Sequence, residues 1–226
     1  MAAPARRLAA RDRSALNPAV ALFGTSADPP TVGHRAVLAG LLELYPLVCT
    51  WASNNPFKQH GAPLEVRAAL LAAVVDELAL HHPPGQLQLR QELSSSRALD
   101  SLAAAHRLFP GYQQVFVVGS DLVPQIPRWA AVKDWLPHCR LALIPRRGWP
   151  LQAAELETLR GLGAQLEHLP LEIPEAASSS VRRHPNPELV PPALLPQLVQ
   201  QNLYEFTTAD LPPSADRPDP IQPPGG

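Results

Sequence analysis

The stretch from residue 19 to residue 34, AVALFGTSADPPTVGH, decides the fold. Its first five residues, 19–23, form a short apolar run that is typical of a buried strand and that ends at Gly24. A tight loop stiffened by two prolines follows, and from His34 onward apolar residues recur at the spacing of one helical face. This stretch therefore predicts a strand, a short loop and a helix, in the order with which an α/β sheet begins.

The same alternation of apolar runs and amphipathic segments continues along the chain. Strands are predicted at residues 47–51, 86–90, 115–118, 141–144 and 165–169, and helices at 34–45, 64–80, 98–108, 151–162 and 192–203. Strands that alternate with helices predict an α/β fold, here a Rossmann-like, doubly wound parallel sheet with helices on both faces. Because ligands of such sheets bind beyond the carboxyl ends of the strands, functional residues are expected directly after strands.

Composition narrows the classes of protein to consider. The 226 residues are 46% hydrophobic, which is enough for a sizeable core, and their formal net charge of −1 gives no reason to expect nucleic acid or an anionic membrane as a partner. No apolar run approaches the ~20 residues that cross a bilayer. Cys49 and Cys139 can form neither a disulfide framework nor a metal knuckle, so we expect a cytoplasmic protein.

The two ends of the sequence differ in composition from the middle. Residues 1–17 are rich in alanine and arginine without an apolar period, and residues 207–226 carry a proline every few positions. Such segments have little to bury, so we expect both to be disordered. One globular domain is expected over residues 18–206.

The loop after the first strand has the character of a phosphate site. It matches neither a Walker A loop nor the G-x-G-x-x-G dinucleotide fingerprint. It does enter a helix, whose free N–H groups and positive dipole end favour phosphate, and Gly33 allows close approach to the backbone beside His34. The alternative is a purely structural loop that is capped by Asp28 or Thr31.

Residues 26–34, SADPPTVGH, resemble the (T/H)-x-G-H signature of the nucleotidyltransferase superfamily. They are most similar to the G-G-T/S-F-D-P-x-H-x-G-H loop of bacterial nicotinate-nucleotide adenylyltransferases. The positions that match this loop are Gly24, Asp28, Pro29, Gly33 and His34. The positions that depart from it are Thr25 in place of the second glycine, Ala27 in place of phenylalanine and Thr31 in place of the first histidine.

Further segments resemble the same family, in the same order, over roughly residues 18–204. They are the N-N-P-F-K of residues 54–58, which resembles the N-P-x-x-K loop of the family, the G-x-D of residues 119–121 with a following Trp129, the R-R-G-W of residues 146–149 and the S-S-S-V-R of residues 178–182. Each has a plain alternative, such as a solvated Lys58, a helix-capping Asp121 or a Trp129 that is packed in the core. Their common order along the chain favours the family reading, with residues 18–206 as a nucleotidyltransferase domain of the HxGH type.

The resemblance implies adenylyl transfer from ATP to nicotinate mononucleotide, which gives deamido-NAD and pyrophosphate. The implied catalytic residues are His34, Thr31, Lys58 and Arg182. The implied ATP-binding residues are Gly24, Ser26, Gly33, His34, Gly119, Asp121, Ser178, Ser179 and Arg182. The implied substrate-binding residues are Asp28, Asn55, Lys58, Trp129 and Arg146. Mg²⁺ is implied as an ion that bridges the ATP phosphates, without a metal site built from protein side chains.

Other functions stay open at this point. The acceptor could be nicotinamide mononucleotide or pantetheine phosphate, because no single residue identifies the nicotinate carboxylate. The departures at Thr25, Ala27 and Thr31 also leave room for a catalytically weakened, nucleotide-binding regulator. A homo-oligomer is compatible with the sequence, which contains no pattern that decides the number of copies.

Overall fold

The computed structural model describes residues 18–54 and 58–212. Its strands are β1 (Ala19–Thr25), β2 (Leu47–Ala52), β3 (Leu87–Leu89), β4 (Gln113–Gly119), β5 (Arg140–Ile144) and β6 (Gln165–His168). Its helices are α1 (Val32–Leu44), α2 (Leu64–Ala79), α3 (Ala98–Leu108), α4 (Val132–Trp135), α5 (Ala153–Gly161), α6 (Ser178–Arg183) and α7 (Leu195–Gln200). Short 3-10 turns lie between several of them.

The strands form one sheet in the order β3-β2-β1-β4-β5-β6, and every neighbouring pair is parallel. The order reverses between β1 and β4, so the chain is wound in opposite directions from the middle of the sheet. The prediction of a doubly wound parallel sheet is confirmed. In a sheet of this kind the crevice at the reversal point is where ligands bind.

Alternate residues of each strand supply two separate cores. In β1, Ala21 and Phe23 face a cluster with α1, α2 and α7, whereas Val20 and Leu22 face a cluster with α3, α4 and α5. A strand that is buried on both faces has no polar positions in its middle, which is why β1 is a continuous apolar run. Burial of each large aliphatic side chain contributes about 1.5–3 kcal/mol, so the sheet is a stiff base for the loops at its edge.

Several predicted elements differ from the observed ones. The helix predicted at residues 192–203 is a 3-10 turn, Pro192–Leu194, followed by the shorter α7. Pro196 lies in the first turn of α7, where a backbone N–H has no partner within the helix. The sequence patterns also left α4 unassigned.

The predicted terminal segments are only partly described. Residues 1–17 lie outside the described residues, as do residues 213–226 of the predicted tail. The first part of that tail forms a 3-10 turn, Thr208–Asp210, in which the backbone N–H of Thr207 donates to the Asp210 carboxylate at 2.8 Å. Among the helices described, none is both long and apolar enough to cross a bilayer.

Candidate active site

The loop from β1 to α1 holds His34 in a defined orientation. The backbone N–H of Thr31 donates to His34 Nδ1 at 3.0 Å, and Thr31 Oγ1 lies 2.9 Å from the same nitrogen. Nδ1 therefore acts as an acceptor, and in a neutral imidazole the proton is on Nε2. The fully buried Thr31 also donates its hydroxyl to the carbonyl of Ala176 at 2.9 Å, so the hydroxyl is used inside the protein. This placement differs from the expectation of Thr31 as a second phosphate donor.

The electrostatic surroundings keep His34 neutral at physiological pH. Burial lowers the pKa of His34 to about 4, and the positive charges of Arg146 and Lys58 act in the same direction. These two cations belong to the loops that follow β5 and β2. Lys58 itself is exposed, while Asn55, predicted beside it, lies outside the described residues. A neutral His34 can donate one hydrogen bond from Nε2 without carrying charge.

Asp28 is a buried anchor rather than an open ligand contact. Its side chain is 1% exposed, and the two carboxylate oxygens accept hydrogen bonds from the backbone N–H groups of Gly61 and Ala62, at 2.8 and 3.2 Å. The hydroxyl of Tyr204 donates to the same carboxylate at 2.7 Å. The sequence assigned Asp28 to substrate binding, but the structure uses its carboxylate to join three distant segments of the chain.

Helix α6 brings Arg182 and the serines to this anchor. Arg182 donates from Nη1 to the Asp28 carbonyl at 2.7 Å, and its guanidinium lies 3.4 Å from the Asp28 carboxylate. Ser178 donates its hydroxyl to the Pro29 carbonyl at 2.8 Å, so it fastens α6 to the loop. Ser179 is exposed, and Arg182 is 30% exposed. Of the predicted ATP-binding residues on α6, Ser179 is therefore the most exposed, and Arg182 keeps part of its side chain accessible.

Arg67 is an internal support that the predicted site residues do not include. Its guanidinium is 1% exposed and donates to the carbonyls of Ser26, Ser53 and Ala62 and to the Asn54 side chain. Burial lowers the pKa of Arg67, an effect that the Asp28 carboxylate opposes. The charged group thus ties the loop after β1, including the predicted Ser26, to the loop after β2.

A signal for Arg67 was present in the sequence. Leu70, Leu71 and Val74 form the buried stripe of α2, and Arg67 stands three, four and seven positions before them. An arginine in line with an apolar stripe points inward and needs internal acceptors. Its carbonyl acceptors lie on Ser26, Ser53 and Ala62, and no local pattern connects the loops of Ser26 and Ser53 to α2.

Two of the glycines predicted to bind ATP, Gly24 and Gly33, are also needed for close packing within the protein. A Cβ atom on Gly24 would lie 2.6 Å from the ring of Trp51, which is itself 2% exposed. A Cβ atom on Gly33 would lie 3.3 Å from the Pro174 carbonyl oxygen, so the segment before α6 approaches the first turn of α1 closely. Both positions therefore require a small residue before any ligand is considered.

The loops after β4 and β5 form the other side of the crevice. Arg146 lies 3.1 Å from the Asp121 carboxylate, and its backbone N–H donates to Ser120 Oγ at 2.9 Å. Its side chain passes over Gly119, where a Cβ atom would lie 2.8 Å from Arg146 Cδ. Asp121 Oδ1 is buried and has no hydrogen-bond partner among the described residues. Buried carboxylate oxygens usually have a hydrogen-bond partner, so this oxygen is a candidate acceptor for a ligand hydroxyl or amine.

The aromatic residue predicted beside Asp121 is packed against other aromatics. Trp129 is partly buried, with its ring centroid 6.5 Å from that of Phe116 and 6.1 Å from that of Trp135. Trp149, the last residue of the R-R-G-W segment, is not among the predicted site residues, and it is 53% exposed in the turn that follows β5. At this end of the sheet, the Trp129 side chain is therefore accessible only in part, whereas about half of the Trp149 side chain is exposed.

Together, these features define a class of protein. A parallel sheet with a reversal point, a neutral histidine within the field of two cations and a buried carboxylate oxygen without a partner among the described residues are features of an α/β nucleotide-binding protein of the nucleotidyltransferase type. Comparison with known proteins leads to the particular family. Residues 22–184 match the model of the cytidylyltransferase-like family.

Individual relatives agree with this match. A Synechocystis sp. protein described as a "probable nicotinate-nucleotide adenylyltransferase" is 36% identical over 200 residues, which cover 82% of this chain and 98% of that protein. A Chlorobaculum tepidum protein of the same description is 29% identical, with 81% and 97% covered. The chain belongs to the cytidylyltransferase-like family and, within it, to the nicotinate-nucleotide adenylyltransferases.

Solved structures share the fold. The Plasmodium falciparum nicotinic acid mononucleotide adenylyltransferase, in complex with NaAD, aligns with a TM-score of 0.67 at 19% identity, over 84% of this chain and 98% of that one. The family resemblance found in the sequence is confirmed by the family model and by the Synechocystis relative, and the solved structure agrees in fold.

Proposed function

We propose that the protein transfers the adenylyl group of ATP to nicotinate mononucleotide. A phosphate oxygen of the mononucleotide attacks the α-phosphorus of ATP and forms the new P–O bond. The bond between the α-phosphorus and the bridging oxygen breaks, and its electron pair leaves with pyrophosphate. The products are deamido-NAD and pyrophosphate, as the names of the relatives suggest.

The observation that carries the proposal is the state of His34. A neutral imidazole, oriented through Nδ1 and flanked by Arg146 and Lys58, presents an Nε2–H donor at the reversal point of the sheet. The attacking phosphate is already anionic, so the reaction needs no general base. Catalysis then consists of holding two anions in line and stabilising charge on the leaving group.

The residues divide into two roles on this proposal. His34 donates to the α/β-phosphate region, while Lys58, Arg182 and Ser179 hold the outer phosphates. Gly119, Asp121 and Arg146 lie on the side of the nucleosides, where the free oxygen of Asp121 suits a ribose hydroxyl or a base amine. Trp129 and its packed neighbours border the same side.

Mg²⁺ fits this arrangement as an ion that arrives with ATP. Among the described residues, no group of three or more His, Cys, Asp or Glu side chains is close enough to hold a metal. Mg²⁺ keeps several waters and commonly binds through substrate phosphates together with one or two carboxylates. When bound, it would neutralise charge on the phosphates; the protein's own donors orient them.

A pyrophosphate-release assay tests the proposal. The purified protein is given ATP, Mg²⁺ and nicotinate mononucleotide, with nicotinamide mononucleotide and pantetheine phosphate as parallel acceptors. We expect fastest turnover on the nicotinate substrate and its collapse in His34→Ala, whereas His81→Ala, at an exposed position, should keep wild-type turnover. Preference for another acceptor would change the substrate, and no turnover with ATP still bound would favour the regulator.

We also propose that the enzyme works in the cytoplasm, where ATP and pyridine nucleotides are available. Fractionation of cells that produce the tagged protein tests this, and recovery outside the cytoplasmic fraction would contradict it. Light scattering during the same purification measures the number of copies and tests the expectation of a homo-oligomer.

A further inference from the structure

The turn that follows α7 is held in a strained backbone conformation. Asn202, Tyr204 and Glu205 have φ angles of 49°, 52° and 63°, in the left-handed region that non-glycine residues rarely adopt. Phe206, 3% exposed in the core, anchors the end of this turn. Strain of this kind persists only where the surroundings impose it, and it clusters at functional sites.

The strained turn directs the Tyr204 side chain towards Asp28, the buried carboxylate that lies beside Arg182. Its hydroxyl donates to Asp28 Oδ1 at 2.7 Å, and its ring lies against Gly61. A Cβ atom on Gly61 would be 3.0 Å from Tyr204 Cε1 and 2.7 Å from Arg182 Cδ, so the tyrosine ring and the arginine stem pack on the same backbone. Tyr204 thus contacts the loop that follows Lys58 and restrains the carboxylate beside Arg182.

We infer that Tyr204 is a positioning residue for the ATP phosphates, acting through Asp28 on Arg182. This inference rests on the proposed function. With the Tyr204 hydroxyl in place, one Asp28 oxygen is held on Tyr204 and Ala62 while the other faces Gly61 and Arg182. Without the hydroxyl, the carboxylate loses this restraint, and the oxygen that faces both Arg182 and His60 Nδ1 is held less firmly. The hydrogen bond from Arg182 to the Asp28 carbonyl remains, so the expected change is in the orientation of the guanidinium.

The hydroxyl can be separated from the rest of the side chain. Packing of this turn comes from Phe206 and from the Tyr204 ring, and a phenylalanine at residue 204 retains the ring. Tyr204→Phe therefore removes one hydrogen bond and leaves the apolar contacts. Tyr112→Phe is the matched control. Tyr112 precedes β4, at the amino ends of the strands and so away from the site, and its ring packs edge-on against Phe109.

The first measurement is calorimetric binding of ATP with Mg²⁺. We expect Tyr204→Phe to bind ATP about tenfold more weakly, as for the loss of a hydrogen bond to a charged group, and Tyr112→Phe to bind like the wild type. In steady-state kinetics, KM for ATP should rise by a similar factor while KM for nicotinate mononucleotide changes less than twofold. Wild-type ATP affinity in Tyr204→Phe would overturn the inference.

A double-mutant cycle with Arg182→Lys separates positioning from a general effect on the fold. If Tyr204 acts through Arg182, Tyr204→Phe should weaken ATP binding less than twofold in the Arg182→Lys background. Equal weakening in both backgrounds would overturn the inference. A wild type that binds ATP without adenylyl transfer would refute the proposed function while the binding cycle still tests Tyr204; a wild type that does not bind ATP would refute both.

Discussion

The two sides of the crevice are built on different principles. On the phosphate side, Asp28 and Thr31 are 1% and 0% exposed, and both use their polar atoms on partners inside the protein. On the nucleoside side, Arg146 is 47% exposed, Trp149 is 53% exposed and Asp121 retains a buried oxygen without a partner among the described residues. The polar atoms of the first side are satisfied within the protein, whereas the second side keeps exposed groups and a carboxylate oxygen that the proposed function assigns to the ligand.

This difference follows from what each side must do. Charge that develops on transferring phosphates is best met by donors that do not reorganise during the reaction, and internal hydrogen bonds hold such donors in place. A nucleoside is selected by a few polar groups that become satisfied only when it binds. The comparison therefore predicts that changes on the phosphate side affect turnover and stability, whereas changes on the nucleoside side affect affinity.

The largest effect is expected at His34. His34→Ala removes the Nε2–H donor, and kcat should fall by roughly 10²–10³, as for other single donors to a developing anion. ATP affinity should change much less, because the outer phosphates keep their other contacts. Rapid-quench measurement of a single turnover, beside calorimetric ATP binding, separates the two quantities. A loss confined to affinity would make His34 a ground-state binder.

The next effect concerns stability at Asp28. Asp28→Ala leaves two backbone N–H groups and the Tyr204 hydroxyl without their acceptor and removes the negative charge beside Arg182, so we expect the free energy of unfolding to fall by about 3 kcal/mol. Asp121→Ala should cost less than ~1 kcal/mol, because the one ion pair of Asp121 among the described residues is with exposed Arg146. Urea denaturation of both variants measures this contrast, and equal losses would remove the distinction between the two sides.

A smaller effect on affinity is expected at Asp121. Asp121→Ala removes the carboxylate oxygen that has no internal partner, so KM for one nucleotide substrate should rise about tenfold while kcat changes less than threefold. Initial rates with each substrate varied in turn identify which nucleotide depends on the carboxylate. A fall in kcat with unchanged KM would place Asp121 among the groups that stabilise the transition state.

The smallest effect is a dependence on pH. The pKa of His34 is lowered from 6.5 to about 4, so between these values the unfolded chain binds a proton that the folded protein does not. The contribution of His34 to stability therefore falls as the pH drops from 6.5 towards 4, and it is constant above 6.5. NMR of the imidazole should show a midpoint near 4, assigned by its loss in His34→Ala. A titration midpoint near 6.5 would mean that the His34 imidazole is not buried enough to lower its pKa.

The sequence predicted those parts of the molecule that leave a local pattern. Apolar runs such as residues 19–23 belong to strands buried on both faces, and that burial needs no partner to be identified in advance. The prediction of a parallel sheet placed the functional loops after the strands, and the motif in the first of these loops identified His34 as a site residue. These features depend on neighbours along the chain.

The internal supports could not be predicted in the same way. Thr31 bonds to a carbonyl 145 residues away, and Asp28 bonds to a hydroxyl 176 residues away. The sequence around an aspartate does not show whether its carboxylate binds a ligand or a side chain much further along the same chain. For the same reason Asp28 and Thr31 were assigned to ligands, and Tyr204 was assigned no role.

The distance between Asp28 and Tyr204 also sets an order for synthesis on the ribosome. The nucleotide loop emerges early, but its carboxylate has to wait for a tyrosine that is made 176 residues later, roughly 9–35 s at 5–20 residues per second. During that interval the half-built sheet can fold around β1 and β2 while Asp28 lacks this partner. The nascent protein therefore forms the hydrogen bond between Tyr204 and Asp28 only when nearly all of its described length has been translated.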